Sequence, residues 1–76
     1  MPAYRFDPTL LRAAREARGI SRQRVADGVP CSESLVTLTE LGYRRPAPET
    51  LAAMTDAVGI TLDDLFVIDD AEAMAQ

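Results

Sequence analysis

Apolar residues recur at every third or fourth position in five segments of the chain, and this is the spacing of short amphipathic helices. Glycine, proline and small polar residues separate the segments and supply helix starts and stops. We expect helices over residues 8–18, 21–28, 32–40, 47–58 and 61–68. Strand-like alternation extends no further than Tyr4 to Phe6. The pattern therefore predicts an all-α fold, a compact five-helix bundle.

Capping residues and glycines define the expected helix ends. Small polar residues that can accept a hydrogen bond from the first helical turn precede four of the helices, at Asp7, Ser21, Ser32 and Thr61. Asp64 is spaced to pair with Thr61 in a capping box. We expect Gly28 to end the second helix in the left-handed conformation. Because proline cannot adopt a positive φ, we expect the chain to run extended through Val29 and Pro30.

The predicted core is built from one apolar stripe on each helix. Its members share helical spacing and apolar side chains: Leu10, Leu11, Ala14, Ala17, Val25, Ala26, Val36, Leu51, Met54, Ala57, Val58, Leu62, Leu65 and Phe66. The organisation we predict is an N-terminal arm at 1–7, one helical domain at 8–68, and an acidic, alanine-rich tail at 69–76. A chain of 76 residues is long enough for one modest core.

Composition excludes several classes of protein. The absence of histidine excludes Cys/His zinc sites and histidine-based catalysis, and no glycine-rich phosphate loop is present. Asp63-Asp64 and Asp69-Asp70 lack the ligand spacing of a calcium-binding loop, so a solvated acidic face is expected. We therefore expect no enzyme, no cofactor and no metal. Cys31 stands alone among apolar residues and is expected to be a structural thiol in a reducing, cytoplasmic setting. From this pattern we expect neither a signal peptide nor a membrane span.

The net charge of −4 conceals two halves of opposite sign. Residues 1–45 contain all eight arginines and have a net charge of +3, whereas residues 46–76 have seven acidic residues and no basic one. Clustering of charge affects attraction to phosphate more than the total does. The first half of the chain is therefore the candidate surface for a polyanion.

A series of residues in fixed order resembles the Cro/repressor-type helix-turn-helix domain, the XRE family of phage repressors and small bacterial regulators. The resemblance covers about Leu10 to Phe66 and is carried by Leu11-Arg12, Arg15, Arg18 to Ser21, Val25-Ala26, Val36, Glu40, Gly42, Pro46, Leu51, Ala57 to Ile60, and Leu62 to Leu65. It implies a bundle of the lambda-repressor type with the helix-turn-helix at helices 2 and 3. In that arrangement the third helix lies in the major groove of double-stranded DNA. The resemblance also implies a homodimer, formed by the last helix with Val67 and Ile68, and a cytoplasmic, nucleoid-associated location.

The resemblance assigns contact positions one by one. The expected phosphate contacts are Arg22, Arg24, Arg44 and Arg45. The expected base contacts are Ser32, Glu33, Ser34, Thr37 and Leu38. For Arg44 and Arg45 the alternative is a solvated turn. For the arginines of the first helix, a solvated face beside Glu16 is an equal alternative to phosphate contact.

The third helix departs from the family pattern. It contains no Lys, Arg, Asn or Gln, the residues that read most bases. Thr39 stands where the family has a large apolar residue. Leu35, Leu38 and Leu41 form an extra apolar stripe, which fits thymine-methyl contact, burial or a protein-binding surface. We expect Leu35 to be buried, whereas all three roles stay open for Leu38.

Glu33 has two possible roles, since it can accept a hydrogen bond from cytosine or stabilise the start of its helix. Two functions follow from these departures. The first is a sequence-specific DNA-binding transcriptional regulator. The second is a protein-interaction module, of an antitoxin-like or adaptor kind, on a scaffold with weakened DNA reading.

Overall fold

Helices and a small sheet make up the fold in the computed structural model, which describes residues 3–69. The described elements are β1 (Ala3–Phe6), α1 (Thr9–Ala17), α2 (Arg22–Gly28), α3 (Glu33–Glu40), α4 (Pro48–Val58), a single 3₁₀ turn (Leu62–Leu65) and β2 (Phe66–Asp69). The first four of the five expected helices are confirmed. The predicted five-helix, all-α bundle is wrong, because a 3₁₀ turn and a strand stand where the fifth helix was expected.

The two strands pair in antiparallel fashion, with Ala3 opposite Asp69 and Phe6 opposite Phe66. Asp7 continues the pairing, because its N–H donates to the carbonyl of Leu65 at 2.7 Å. The expected pairing of Asp64 with Thr61 is present, since the Asp64 carboxylate accepts a hydrogen bond from the Thr61 N–H at 2.9 Å. The turn still ends at once, because the aromatic and β-branched residues 66–68 favour the extended conformation.

The strand β1 occupies most of the segment predicted to be an N-terminal arm. The division into an arm, a domain and a tail nevertheless stays a prediction. Residues 70–76, most of the predicted acidic tail, lie outside the described residues.

The core lies between α1, α2, α3 and α4 and is closed by the 3₁₀ turn. Its buried apolar residues come from the predicted stripes: Leu11, Val25, Ala26, Val36, Met54, Val58 and Leu65. Thr39 is fully buried among them. Its hydroxyl donates to the Leu35 carbonyl at 2.7 Å, so the polar atom is satisfied within its own helix.

The expected caps are present at three helix starts. The Asp7 carboxylate accepts from the Thr9 N–H, and the hydroxyls of Ser21 and Ser32 accept from the N–H groups three residues later, each at 3.1 Å. Gly59 ends α4 with a φ of +90°, as expected of a terminating glycine.

The expectation for Gly28 is wrong, because this glycine is the last helical residue of α2 and has no positive φ. A Cβ placed there would lie 3.4 Å from the Cβ of Ala57, an ordinary van der Waals distance, so α4 passes close to α2 at this position without requiring a glycine. The expected extended path also fails at Val29, whose φ of −73° and ψ of −48° are helical. The Val29–Pro30 peptide bond is cis.

Candidate nucleic-acid interface

Helices α2 and α3 form a helix-turn-helix around a tight connection. Val25 and Ala26 of α2 are buried against the same core as Val36 of α3. The connection is closed by a hydrogen bond from the Cys31 N–H to the Ala26 carbonyl at 2.8 Å. The Ser32 hydroxyl then accepts the capping bond from the Leu35 N–H, which fixes the start of α3 at the end of the turn. Packing and capping therefore fix the angle between the two helices.

Two opposite faces of α3 have different surroundings. Val36, Thr39 and Glu40 are buried. The other face lines an open groove with Glu33, Ser34, Thr37 and Leu38. The structure thus brings together four of the five residues predicted to read bases, and it places the fifth, Ser32, at the helix start.

The hydrogen-bonding capacity of this face is mostly that of acceptors. The Thr37 hydroxyl donates to the Glu33 carbonyl at 3.2 Å, which leaves its oxygen lone pairs free to accept. The Glu33 carboxylate only accepts, and it lies in the first turn of α3, where a negative charge is favourable. Amino groups on cytosine or adenine are the base-edge donors that such acceptors match.

The leucines of α3 fall into different environments. Leu35 is half-buried against the core, as expected. Leu38 is half-buried in the groove wall, and Leu41 is exposed just after the helix. The apolar stripe is therefore divided between the core and the surface.

The predicted phosphate-contacting arginines lie at both ends of the helix-turn-helix. Arg24, in the first turn of α2, and Arg44, after α3, are exposed. Arg22 is partly buried, and its Nε donates to the Glu40 carboxylate at 3.1 Å. The Arg45 guanidinium stacks on the Phe6 ring, 4.3 Å from the ring centroid. Two of the four arginines thus already have partners within the protein.

A buried ionic cluster was missed by the sequence analysis. Arg15 Nε donates to Glu40 Oε2 at 2.7 Å, and its Nη1 donates to the Ile20 carbonyl at 2.9 Å. Arg15 is buried, so neither the solvated face nor the phosphate contact suggested for it is correct. The available signal was its position four residues after Leu11, on the core face of α1.

Two further ionisable groups near the helix-turn-helix, Glu16 and Cys31, have pKa values shifted by their surroundings. Arg12 pairs with Glu16 on the exposed face of α1, and the hydrogen bond from the Arg12 guanidinium lowers the pKa of the Glu16 carboxyl. Burial raises the pKa of the Cys31 thiol, so it is protonated at neutral pH, in keeping with a structural role. Within residues 3–69, no cluster of three or more acidic or cysteine side chains is arranged to bind a metal. Every helix in that range is too short or too polar to cross a lipid bilayer.

Comparison with known families agrees with this geometry. The chain belongs to the helix-turn-helix domain family, whose model matches residues 9–66, and the expected resemblance to Cro/repressor-type regulators is confirmed.

Two solved structures are similar to this chain. The restriction-modification controller protein C.AhdI from Aeromonas hydrophila is 27% identical over 78% of this chain and 89% of that chain, with a TM-score of 0.72. The hypothetical transcription factor NHTF from Neisseria is 17% identical over 95% of this chain and 86% of that chain, with a TM-score of 0.70. At that identity, the second likeness concerns the fold alone. Curated proteins give no significant match.

Proposed function

We propose that the protein is a transcriptional regulator, with no enzymatic activity, that binds double-stranded DNA sequence-specifically through α3. The observation that carries this proposal is the open groove on the solvent side of α3. Its lining residues lie on the face of this capped helix that points away from the core. Membership of the helix-turn-helix family supports the same function, as does the likeness to a restriction-modification controller protein. Binding to the chromosome would place the protein at the nucleoid.

The contacts we propose follow the position of each residue. Arg24 and Arg44 are exposed at the two ends of the motif and contact phosphates, together with the outer nitrogens of Arg22. The groove residues Glu33, Ser34, Thr37 and Leu38 contact base edges, with Ser32 beside them at the helix start. Leu38 supplies the apolar contact that a thymine methyl group accepts.

Two copies of the chain acting as a homodimer would offer two recognition helices to successive half-sites. This matters because one α3 has few base-reading groups. We place the dimer contact on β2, where Ile68 is 52% exposed, opposite Tyr4, which is 67% exposed.

A titration tests the proposal. The protein is titrated, at several salt concentrations, into a duplex from upstream of its own coding sequence and into a scrambled duplex. We expect tighter binding to the first, and an affinity that falls steeply with salt because arginines displace counterions. Equally feeble binding to both duplexes would overturn the regulator function.

Substitutions then separate base contacts from phosphate contacts. Glu33→Ala and Thr37→Ala should change the ratio of affinities for the two duplexes. Arg44→Ala should weaken both about equally. Arg5→Ala, in β1, is the matched control and should change neither quantity. An unchanged ratio in both α3 variants would exclude these residues as base readers.

The second candidate function is a protein-interaction module. It is favoured by the apolar residues on or next to the third helix, since Leu41 is 51% exposed, Tyr43 is 75% exposed and Leu38 lines the groove. Leu38→Asp decides between the two functions. Loss of a protein complex with unchanged DNA affinity would favour the interaction module.

A further inference from the structure

The loop between α3 and α4 is attached to the rest of the fold at two places. At its start, the N–H groups of Tyr43 and Arg44 both donate to the Leu38 carbonyl, at 2.9 and 3.3 Å. This first attachment joins the loop to α3 itself. It does not involve the second half of the loop, which runs from residue 45 to the start of α4.

The second attachment is to the two-stranded sheet. Phe6 and Phe66 face each other across the strands, with ring centroids 5.5 Å apart. The Arg45 guanidinium lies over both rings, 4.3 Å from the centroid of Phe6 and 5.7 Å from that of Phe66. A planar guanidinium on an aromatic face is a favourable cation–π contact, which arginine makes better than lysine. We name these three residues the aromatic clamp.

We propose that Arg45 is a positioning residue rather than a phosphate contact. Through the aromatic clamp it fixes the loop on the sheet, and the fixed loop presents its neighbour Arg44 to the DNA backbone. Phe6 and Phe66 thereby contribute to DNA affinity from outside the helix-turn-helix. The DNA part of this inference rests on the proposed function, whereas the attachment of the loop does not.

The salt dependence of DNA binding distinguishes positioning from phosphate contact. Loss of a phosphate contact lowers the magnitude of the slope of log K against log salt by about 0.9. Loss of positioning leaves the slope unchanged, because Arg44 still contacts its phosphate in the complex and only the cost of ordering the loop rises. We expect Arg44→Ala to lower the slope. Arg45→Ala and Phe6→Leu should each weaken binding about two- to fivefold at unchanged slope, which is the size expected for an exposed cation–π contact. In the double variant, the two losses of affinity should not multiply, because both substitutions remove the same cation–π contact.

A second measurement needs no DNA. Trypsin cleaves after Arg44, within the loop, and its rate reports how often the loop opens. Phe6→Leu removes the aromatic ring and leaves the cleavage site intact, so cleavage should become about two- to fivefold faster. Leu62→Ala is the control, because it removes a partly buried residue that packs against the core without altering the aromatic clamp. When the two variants are compared under conditions that give them the same free energy of unfolding, Leu62→Ala should accelerate cleavage less than Phe6→Leu.

The outcomes separate this inference from the proposed function. A wild-type protein that binds no DNA would overturn the proposed function, and the cleavage rates would still decide whether the loop is clamped. If Phe6→Leu and Leu62→Ala accelerate trypsin cleavage equally, or if Phe6→Leu does not accelerate it, the aromatic clamp does not hold the loop on the sheet. A drop in salt slope for Arg45→Ala equal to that for Arg44→Ala would assign Arg45 to a phosphate.

Discussion

Glu40 places a negative charge in the centre of the fold, where two arginines from different helices neutralise it. Its side chain has no exposure, and its oxygens accept hydrogen bonds from Arg15 of α1 and Arg22 of α2. A buried carboxylate is costly without such partners. This residue therefore ties both preceding helices to the end of α3.

Replacement of Glu40 by Ala should strongly destabilise the protein. It leaves the buried Arg15 without its carboxylate, and breaking a buried pair in this way costs about 3–5 kcal/mol. Urea denaturation at neutral pH measures the loss of unfolding free energy. If the variant does not fold, Glu40→Gln, which keeps an acceptor, should fold with reduced stability.

The matched control is Glu16→Ala, which breaks the exposed pair with Arg12. The lowered pKa of Glu16 keeps that pair intact at neutral pH, and its contribution is lost only as the pH falls through the lowered pKa. Since solvent screens the pair, its removal should cost far less than that of Glu40. Equal losses for the two variants would contradict the burial of Glu40.

At the scale of elements, the sequence predicted what depends on neighbouring residues. The four helices and their caps follow from spacing and from the local bonds of Asp7, Ser21 and Ser32. The sheet could not be predicted in the same way, because four-residue strands carry little alternation and their partners are distant in sequence. The helical conformation of Gly28 was also missed, since a glycine near a helix end can be the last helical residue as well as the left-handed cap.

Two glycines should respond in opposite ways to alanine. Gly59→Ala forces a side chain into a φ of +90° and should cost about 1–2 kcal/mol of stability. Gly28→Ala lies in a helix, so it gains up to about 1 kcal/mol from helix propensity. Its new methyl group meets Ala57 only at ordinary contact distance. Thermal unfolding of both variants measures the difference. A larger loss of stability for Gly28→Ala than for Gly59→Ala would contradict the ordinary contact distance between Gly28 and Ala57.

At the scale of the whole molecule, the candidate interface was predicted in part. The grouping of Glu33, Ser34, Thr37 and Leu38 follows from helical periodicity and is present as a groove. Their contacts with bases stay a prediction. The internal partners of the arginines could not be predicted from the sequence, because stacking on Phe6 or pairing with Glu40 depends on how distant segments pack.

The proposed dimer is tested at the same scale. Ile68→Arg places a charge on the exposed apolar face of the sheet and should convert a dimer into monomers. Analytical ultracentrifugation measures the change. Leu41→Arg is the control, since it adds the same charge at another exposed apolar position, after α3, and should leave the mass unchanged. A wild-type protein that sediments as a monomer at high concentration would overturn the dimer.

The pairing of Phe6 with Phe66 also sets an order of events during synthesis. Helices α2 and α3 can pack on each other as they leave the ribosome, because they contact each other and are adjacent in sequence. The sheet joins two strands near opposite ends of the described chain, so it must wait for the last of them to emerge. Arg45 is translated before Phe66 and acquires this second aromatic partner only then. A chain stalled before residue 66 would carry a complete helix-turn-helix whose loop has its contacts with Leu38 and Phe6 but lacks the second ring of the aromatic clamp.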